Sequence, residues 1–200
     1  MDDDSRLMMS IKKGDRAAFQ ALFRKYSRPL HHFVFRFVGN AAVAEEMVQE
    51  IFFKIYRAAD KYEPRGRFTT YLYRVATNHC LNEVRKADYR EKFDSLDQAP
   101  SDDERGGIVL PDKEQAGADA LFWAQTMAHK LQELLVELPE NQRVALLLNR
   151  LEGLSYQEIA DVLDVSVGAV KSLLHRARHT LRDRLEEWEK KHEETDSSTR

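Results

Sequence analysis

A chain of 200 residues, 42% hydrophobic and 32% charged, has enough apolar material for two small cores beneath a highly charged surface, which excludes wholesale disorder. No apolar run approaches the roughly 20 residues that span a bilayer, and the start Met1-Asp2-Asp3-Asp4 is acidic where a secretory leader is basic, so a cytoplasmic protein without membrane insertion is expected. The single cysteine, Cys80, rules out an internal disulfide and reads as a small core residue; the formal net charge of −3 hides a basic first half and an acidic stretch over residues 94–119.

Apolar residues recur at three- and four-residue spacing almost everywhere outside the middle, and strict alternation is scarce, so an all-α fold is expected. Residues 15–37 read as a long helix carrying Phe19, Phe23, Tyr26, Phe33, Phe35 and Phe37, with Pro29 as a point of bending. Gly39-Asn40 supplies a stop and a new N-cap for a second helix over 41–59. In that helix Val43, Met47, Ile51, Ile55 and Ala58 form a core stripe, while Phe53 falls nearly opposite, among Glu46, Gln49, Glu50 and Arg57. An exposed aromatic ringed by polar side chains is a common anchor for a protein partner.

After the turn at 63–66, residues 69–86 form a further helix. Leu72, Val75 and Ala76 share one face, and Tyr71, Arg74, Asn78, Asn82 and Arg85 share another, with Arg65 and Phe68 at the N-terminal end. An aromatic, two amides and several arginines are what single-stranded nucleic acid requires: a stacking platform, hydrogen bonds to base edges and phosphate neutralisation. Residues 94–120 then mix prolines and glycines with acids and little periodicity, which reads as a flexible acidic linker.

Helical periodicity resumes at Leu121, and Pro139 opens a helix over 140–151 that Gly153 closes. Ser155 and Glu158 match a capping box at the head of a short helix expected to bury Ile159 and Leu163. The connection 164–166, with Ser166 as cap, leads to another helix, and two short helices so joined make a helix-turn-helix. At about 100° per residue, Val167, Val170, Leu174, Ala177 and Leu181 form the core stripe of that second helix. Opposite lie Ser172, His175, Arg176 and His179, with Lys171, Arg178 and Arg182 alongside. Arg176 is the side chain best suited to guanine, and the flanking cations to phosphates. His175 and His179 are spaced to share a metal but have no third ligand nearby, and no Gly-rich phosphate loop or nucleophile–base pattern occurs, so neither metal, cofactor nor catalysis is expected.

Four segments, "GDRAAFQALFRKY", "AEEMVQEIFFKIYRAADKY", "FTTYLYRVATNHCLNEVRK" and "LPENQRVALLLNRLEGLSYQEIADVLDVSVGAVKSLLHRARHTLRDRL", resemble regions 2.1, 2.2, 2.3–2.4 and 4 of the extracytoplasmic-function (group IV) sigma factors of bacterial RNA polymerase. The resemblance implies a sigma-2 domain over 10–93, which binds core polymerase and melts the −10 element, the linker over 94–120, and a sigma-4 domain over 121–188, which reads the −35 element as duplex. It implies that Arg65, Phe68, Tyr71, Arg74, Asn78, Asn82 and Arg85 face the melted strand. Tyr71 stands where the family's "WLYR" pattern has tryptophan. Ser166, Lys171, Ser172, His175, Arg176, Arg178, His179 and Arg182 would face the −35 duplex, and Glu46, Gln49, Glu50, Phe53 and Arg57 the polymerase. The implied partners are the clamp helices of the polymerase largest subunit for sigma-2, the flap of the second-largest subunit for sigma-4, promoter DNA, and an anti-sigma factor. The competing reading is a helix-turn-helix regulator that binds a palindrome as a dimer without polymerase.

Overall fold

The computed structural model describes residues 1–94 and 118–197, and among them the regular structure is helical throughout. The elements are α1 (Asp3–Ile11), α2 (Arg16–Val38), α3 (Ala41–Arg57), a 3-10 turn (Ala59–Lys61), α4 (Phe68–Asp94), α5 (Ala118–Glu137), α6 (Glu140–Arg150), α7 (Tyr156–Leu163) and α8 (Val167–Ser197). The expected linker falls, but for its ends, outside the described residues.

The caps follow from local sequence. The Asp15 carboxylate accepts from the amides of Ala17 and Ala18 at the head of α2, and Asn40 accepts from Val43 at the head of α3. Between them Gly39 closes α2 at φ 81°, a left-handed conformation that glycine enters without a Cβ penalty. Ser155 and Glu158 complete the capping box of α7, and the Ser166 hydroxyl accepts from Ala169 at the head of α8. Pro29 lies inside α2, which continues through it.

Helix α1 was not anticipated. Its acidic first turn is capped by Asp2, and the helix packs on α2. The buried Asp4 carboxylate accepts two hydrogen bonds from Lys25, at 2.7 Å each, and one from the Tyr26 hydroxyl. Tyr62 donates to Ser5, and Asp2 accepts from the Phe68 amide, so α1 ties α2 to the start of α4.

Helices α2, α3 and α4 enclose Phe33, Phe37, Ile51, Ile55, Leu72 and Tyr73; α6, α7 and α8 enclose Val144, Leu148, Ile159, Val170, Leu174 and Ala177. One expected core position is exposed. Val43, in the first turn of α3, is 43% exposed, because the buried side of that turn is set by its neighbour Ala44, and Ala44 and Val48 carry the stripe instead. In α7 Ile159 and Val162 are buried, and Leu163 packs half buried against the same core.

The two halves meet, with α2 against α5 and α6, and α4 against α7. The last carbonyls of α2 lack intrahelical donors. They find them across the junction: the Gln132 amide of α5 donates to the carbonyls of Phe35 and Arg36, and Arg143 of α6 donates to the carbonyl of Phe37 while its guanidinium covers the Phe37 ring at 4.8 Å. A cation there also suits the negative end of the helix dipole.

Candidate nucleic-acid interface

The exposed face of α8 is built as the sequence wheel required. Val170, Leu174 and Ala177 are buried, and Lys171, Ser172, His175, Arg176, Arg178, His179 and Arg182 are exposed on the other side, with Ser166 exposed at the helix start. Arg178 is fixed by donation to Asn149, and His179 lies 2.6 Å from Asp183, which also draws in Arg182. Lys171 and Arg176 have no intramolecular ion pair among the described residues, which leaves both cations available to an outside anion or base edge. The short capped α7 packs across α8 and completes the helix-turn-helix, whose connection passes through Asp164 at φ 54°.

Along α4, Arg74, Asn78, Asn82 and Arg85 are exposed and Tyr71 is half buried against Tyr62, with ring centroids 5.0 Å apart. Arg65 is exposed beside Glu63. Phe68 departs from its expected place at the strand-facing surface. It is 1% exposed, packed among Tyr26, Tyr62 and Tyr71, and does not reach solvent. The reason is periodicity: Phe68 precedes Leu72 by four residues and Val75 by seven, so a helix starting at Phe68 carries it on the core face.

Part of the polar face of α4 is already occupied. Arg74 donates two hydrogen bonds, at 3.1 and 2.6 Å, to the Asp161 carbonyl of α7. Arg67 pairs with Glu158 at 3.2 Å, the Tyr73 hydroxyl donates to Glu152, and Arg85 lies 3.8 Å from Glu140. Burial raises the pKa of Glu152 despite its bond from Tyr73. Burial acts the same way on Glu158, but the Ser155 bonds and Arg67 hold it below its ordinary value. Asn78 and Asn82 make no hydrogen bond among the described residues.

On α3, Phe53 is 59% exposed with the Arg57 guanidinium 5.5 Å from its ring centre, and Glu46, Gln49 and Glu50 are exposed around it. Sequence reasoning missed the rest of this apolar surface: Tyr56 and Phe23 are also exposed, next to a cluster in which Phe19 meets Tyr56 at 5.1 Å and Phe23 meets Phe52 at 4.8 Å. The signal was the count of aromatics on α2 and α3, more than one small core can enclose. A second apolar feature is a groove of about 570 Å³ lined by Leu131, Leu135, Leu146, Leu151, Leu181 and Leu185 and edged by arginines.

Residues 22–90 match the family described as Sigma-70 region 2, and residues 128–181 match Sigma-70, region 4. The chain is 32% identical over 183 residues to the ECF RNA polymerase sigma-E factor of Escherichia coli (strain K12), covering 92% of this chain and 94% of that one. The chain belongs to the extracytoplasmic-function sigma factors. It is a promoter-specific initiation factor of RNA polymerase, as the sequence resemblance implied. A second relative is the RNA polymerase sigma-H factor of Pseudomonas aeruginosa, 31% identical over 180 residues, with 90% of this chain and 92% of that one covered.

The fold is shared with CnrH, solved in complex with the cytosolic domain of CnrY (TM-score 0.68, 22% identity, 92% of this sigma factor and 98% of that chain). It is shared also with the sigma factor RpoE of Bartonella quintana, solved in complex with the anti-sigma factor NepR (TM-score 0.64, 20% identity, 84% and 96% covered). Among the described residues no helix of this sigma factor is long and apolar enough to cross a membrane.

Proposed function

We propose that this sigma factor divides promoter reading between two domains, sigma-2 over 10–93 and sigma-4 over 121–188, joined by the acidic stretch 94–120. The reading is carried by α8, where seven exposed polar or basic side chains oppose the buried Val170, Leu174 and Ala177 beside a capped α7. A helix of that form enters the major groove of the −35 element, with Arg176 on base edges and Lys171, Arg178 and Arg182 on phosphates.

The surface of α4 that carries Tyr71, Arg74, Asn78, Asn82 and Arg85, with Arg65 before it, takes the melted non-template strand of the −10 element. A base leaving the stack costs a few kcal/mol, which stacking and edge hydrogen bonds offset, so opening needs no nucleotide hydrolysis. The protein is therefore a binding factor and not an enzyme, and it acts in the cytoplasm with core polymerase. Phe53 and its neighbours dock on the clamp helices of the largest subunit. The leucine-lined groove of sigma-4 suits an apolar segment of the flap of the second-largest subunit. Solved complexes of similar folds with anti-sigma factors support an inhibitory partner of that kind for this chain.

Transcription in vitro with core polymerase and genomic DNA tests the assignment. Discrete start sites preceded by shared −35 and −10 sequences are expected only when both proteins are present. A free chain that binds duplex promoter tightly as a dimer would instead make this a stand-alone regulator.

A further inference from the structure

The loop that enters α4 is held at both ends by the first helix. Residues 63–67 are all exposed and carry Arg65 between two buried residues, Tyr62 and Phe68. Both of these are tied to α1. The Tyr62 hydroxyl donates to the Ser5 hydroxyl at 3.1 Å, and Lys12, which follows α1, donates to the Tyr62 carbonyl at 3.4 Å. The Phe68 amide donates to the Asp2 carboxylate at 3.1 Å, across 66 residues of sequence. Between the two anchors Gly66 turns the chain at φ 110°, a conformation open to glycine, with nothing within 4 Å of its missing Cβ.

Asp2 divides one carboxylate between two helices. One oxygen caps α1 by accepting from the Ser5 amide at 2.7 Å, and the other takes the Phe68 amide, which lies in the first turn of α4 and has no intrahelical acceptor. Both helix N-termini favour negative charge. Burial pushes the Asp2 carboxyl up, but the bonds from Ser5 and Phe68 and the nearby Arg67 charge hold it below its ordinary value, so the ionised, acceptor-only form meets the two amides. The same bonds set a stacking ring. Tyr71 rests against Tyr62 and Phe68, with ring centroids 5.0 and 6.1 Å away, and these are the two side chains at the ends of the loop.

We propose that α1 is a positioning element for strand capture and Asp2 its positioning residue: the carboxylate fixes the start of α4 and, with Ser5 and Tyr62, holds Arg65 and Tyr71 where the melted strand meets them. The inference rests on the assignment of α4 to the −10 strand. A loop anchored at both ends has less freedom to lose when DNA binds, so the bonds of Asp2 emerge as affinity for the strand although Asp2 touches no DNA. Met8 and Ile11 carry the apolar packing of α1, while Asp2 and Ser5 are directed to the ends of the loop.

Asp2→Ala removes both bonds, and Asp2→Asn separates them. Asparagine caps a helix as well as aspartate does, but its single acceptor oxygen serves one amide and its NH2 group faces the other. Asp15→Ala is the control, because it removes a cap of the same kind from α2 and leaves every bond to Tyr62 and Phe68 in place. Core polymerase loaded with each full chain is titrated with a non-template oligonucleotide carrying the −10 sequence found by mapping start sites. Circular dichroism melting of each free chain and a core-binding titration accompany it.

Holoenzyme with Asp2→Ala should bind the oligonucleotide about tenfold more weakly than the parent, the scale of a lost hydrogen bond to a charged group, and Asp2→Asn should lie between the two. Affinity for core polymerase should be unchanged in both. Asp15→Ala should bind the oligonucleotide as the parent does, despite a lower melting temperature. Parental strand binding by Asp2→Ala, or an equal loss in Asp15→Ala, would overturn the positioning role. Asn78→Ala tells this inference from the reading beneath it: where it weakens strand binding and Asp2→Ala does not, only the positioning role fails, and where neither does, the assignment of α4 fails with it.

Discussion

The Tyr26 hydroxyl donates to Asp4 at 2.6 Å, joining α1 to α2 through a buried carboxylate that also receives Lys25. Burial and the neighbouring carboxylate raise the pKa of Tyr26, which keeps its proton on the hydroxyl as donor. Asp4→Ala removes the acceptor and leaves a buried hydroxyl and a half-exposed ammonium unpaired. A loss of about 1–3 kcal/mol is expected, the usual cost of an orphaned buried polar group. Thermal unfolding followed by circular dichroism checks it: the variant should melt several degrees lower, and Tyr26→Phe together with Asp4→Ala should lose less than the sum of the single changes.

Arg176 points away from the core stripe of α8 and has no intramolecular partner among the described residues, so under the proposed −35 reading it would meet DNA without breaking an existing bond. Arg176→Ala is expected to relax base preference within the −35 element at a cost of about 1–3 kcal/mol for the preferred sequence. Lys171→Ala should weaken all sequences alike and reduce the salt dependence of binding. A randomised −35 library transcribed by each holoenzyme separates the two, and an unchanged preference with Arg176→Ala would remove that residue from base reading.

Most of this was legible in the sequence where a local signal determined the structure. The caps at Asn40, Ser155 and Ser166, the stop at Gly39 and the exposure of Phe53 all follow from spacing within one helix, and the structure reproduces them. Readings that depended on what packs alongside fared worse. Phe68 belongs to the core because α4 begins there, and Val43 escapes burial because the packed side of the first turn of α3 runs through Ala44 and not through Val43. The bonds from Gln132 and Arg143 to the end of α2 span about a hundred residues, a separation that periodicity does not register. The coverage of Arg74 by α7 was hidden for the same reason.

His79 is 2% exposed on α4, with Nδ1 2.5 Å from the Lys54 ammonium and Nε2 3.3 Å from a Glu50 carboxylate oxygen. Burial, reinforced by Lys54, lowers its pKa below the ordinary value of 6.5, with Glu50 opposing. The unfolded chain therefore binds a proton more readily than the folded one. Stability contributed by the neutral imidazole is fully present above pH 6.5 and is lost as the pH falls from there through the folded-state value. Denaturant melts between pH 7.5 and 5 should show this decline, and His79→Gln should flatten it in that window. An unchanged pH slope in the variant would assign the dependence to another group.

Phe53 separates a polymerase-dependent factor from a free-standing DNA binder. Its ring is 59% exposed beneath the Arg57 guanidinium, while Ile51, Phe52 and Ile55 of the same helix are buried. Phe53→Glu therefore introduces a charge that stays hydrated in the free protein and, under the proposed docking of α3 on the clamp helices, would have to be desolvated only in the complex. The expected loss is ~2–4 kcal/mol of affinity for core polymerase, the scale of an interface anchor, with a near-normal melting temperature. Removing the aromatic face also releases Arg57 from its cation–π contact, a small effect at an exposed site. Phe53→Leu should recover part of the affinity because it restores apolar contact without the ring. A core-binding titration beside circular dichroism melting tests all of this at once. Unchanged affinity in a well-folded Phe53→Glu protein would move the docking surface elsewhere on sigma-2, with the exposed Tyr56 and Phe23 as the next residues to replace.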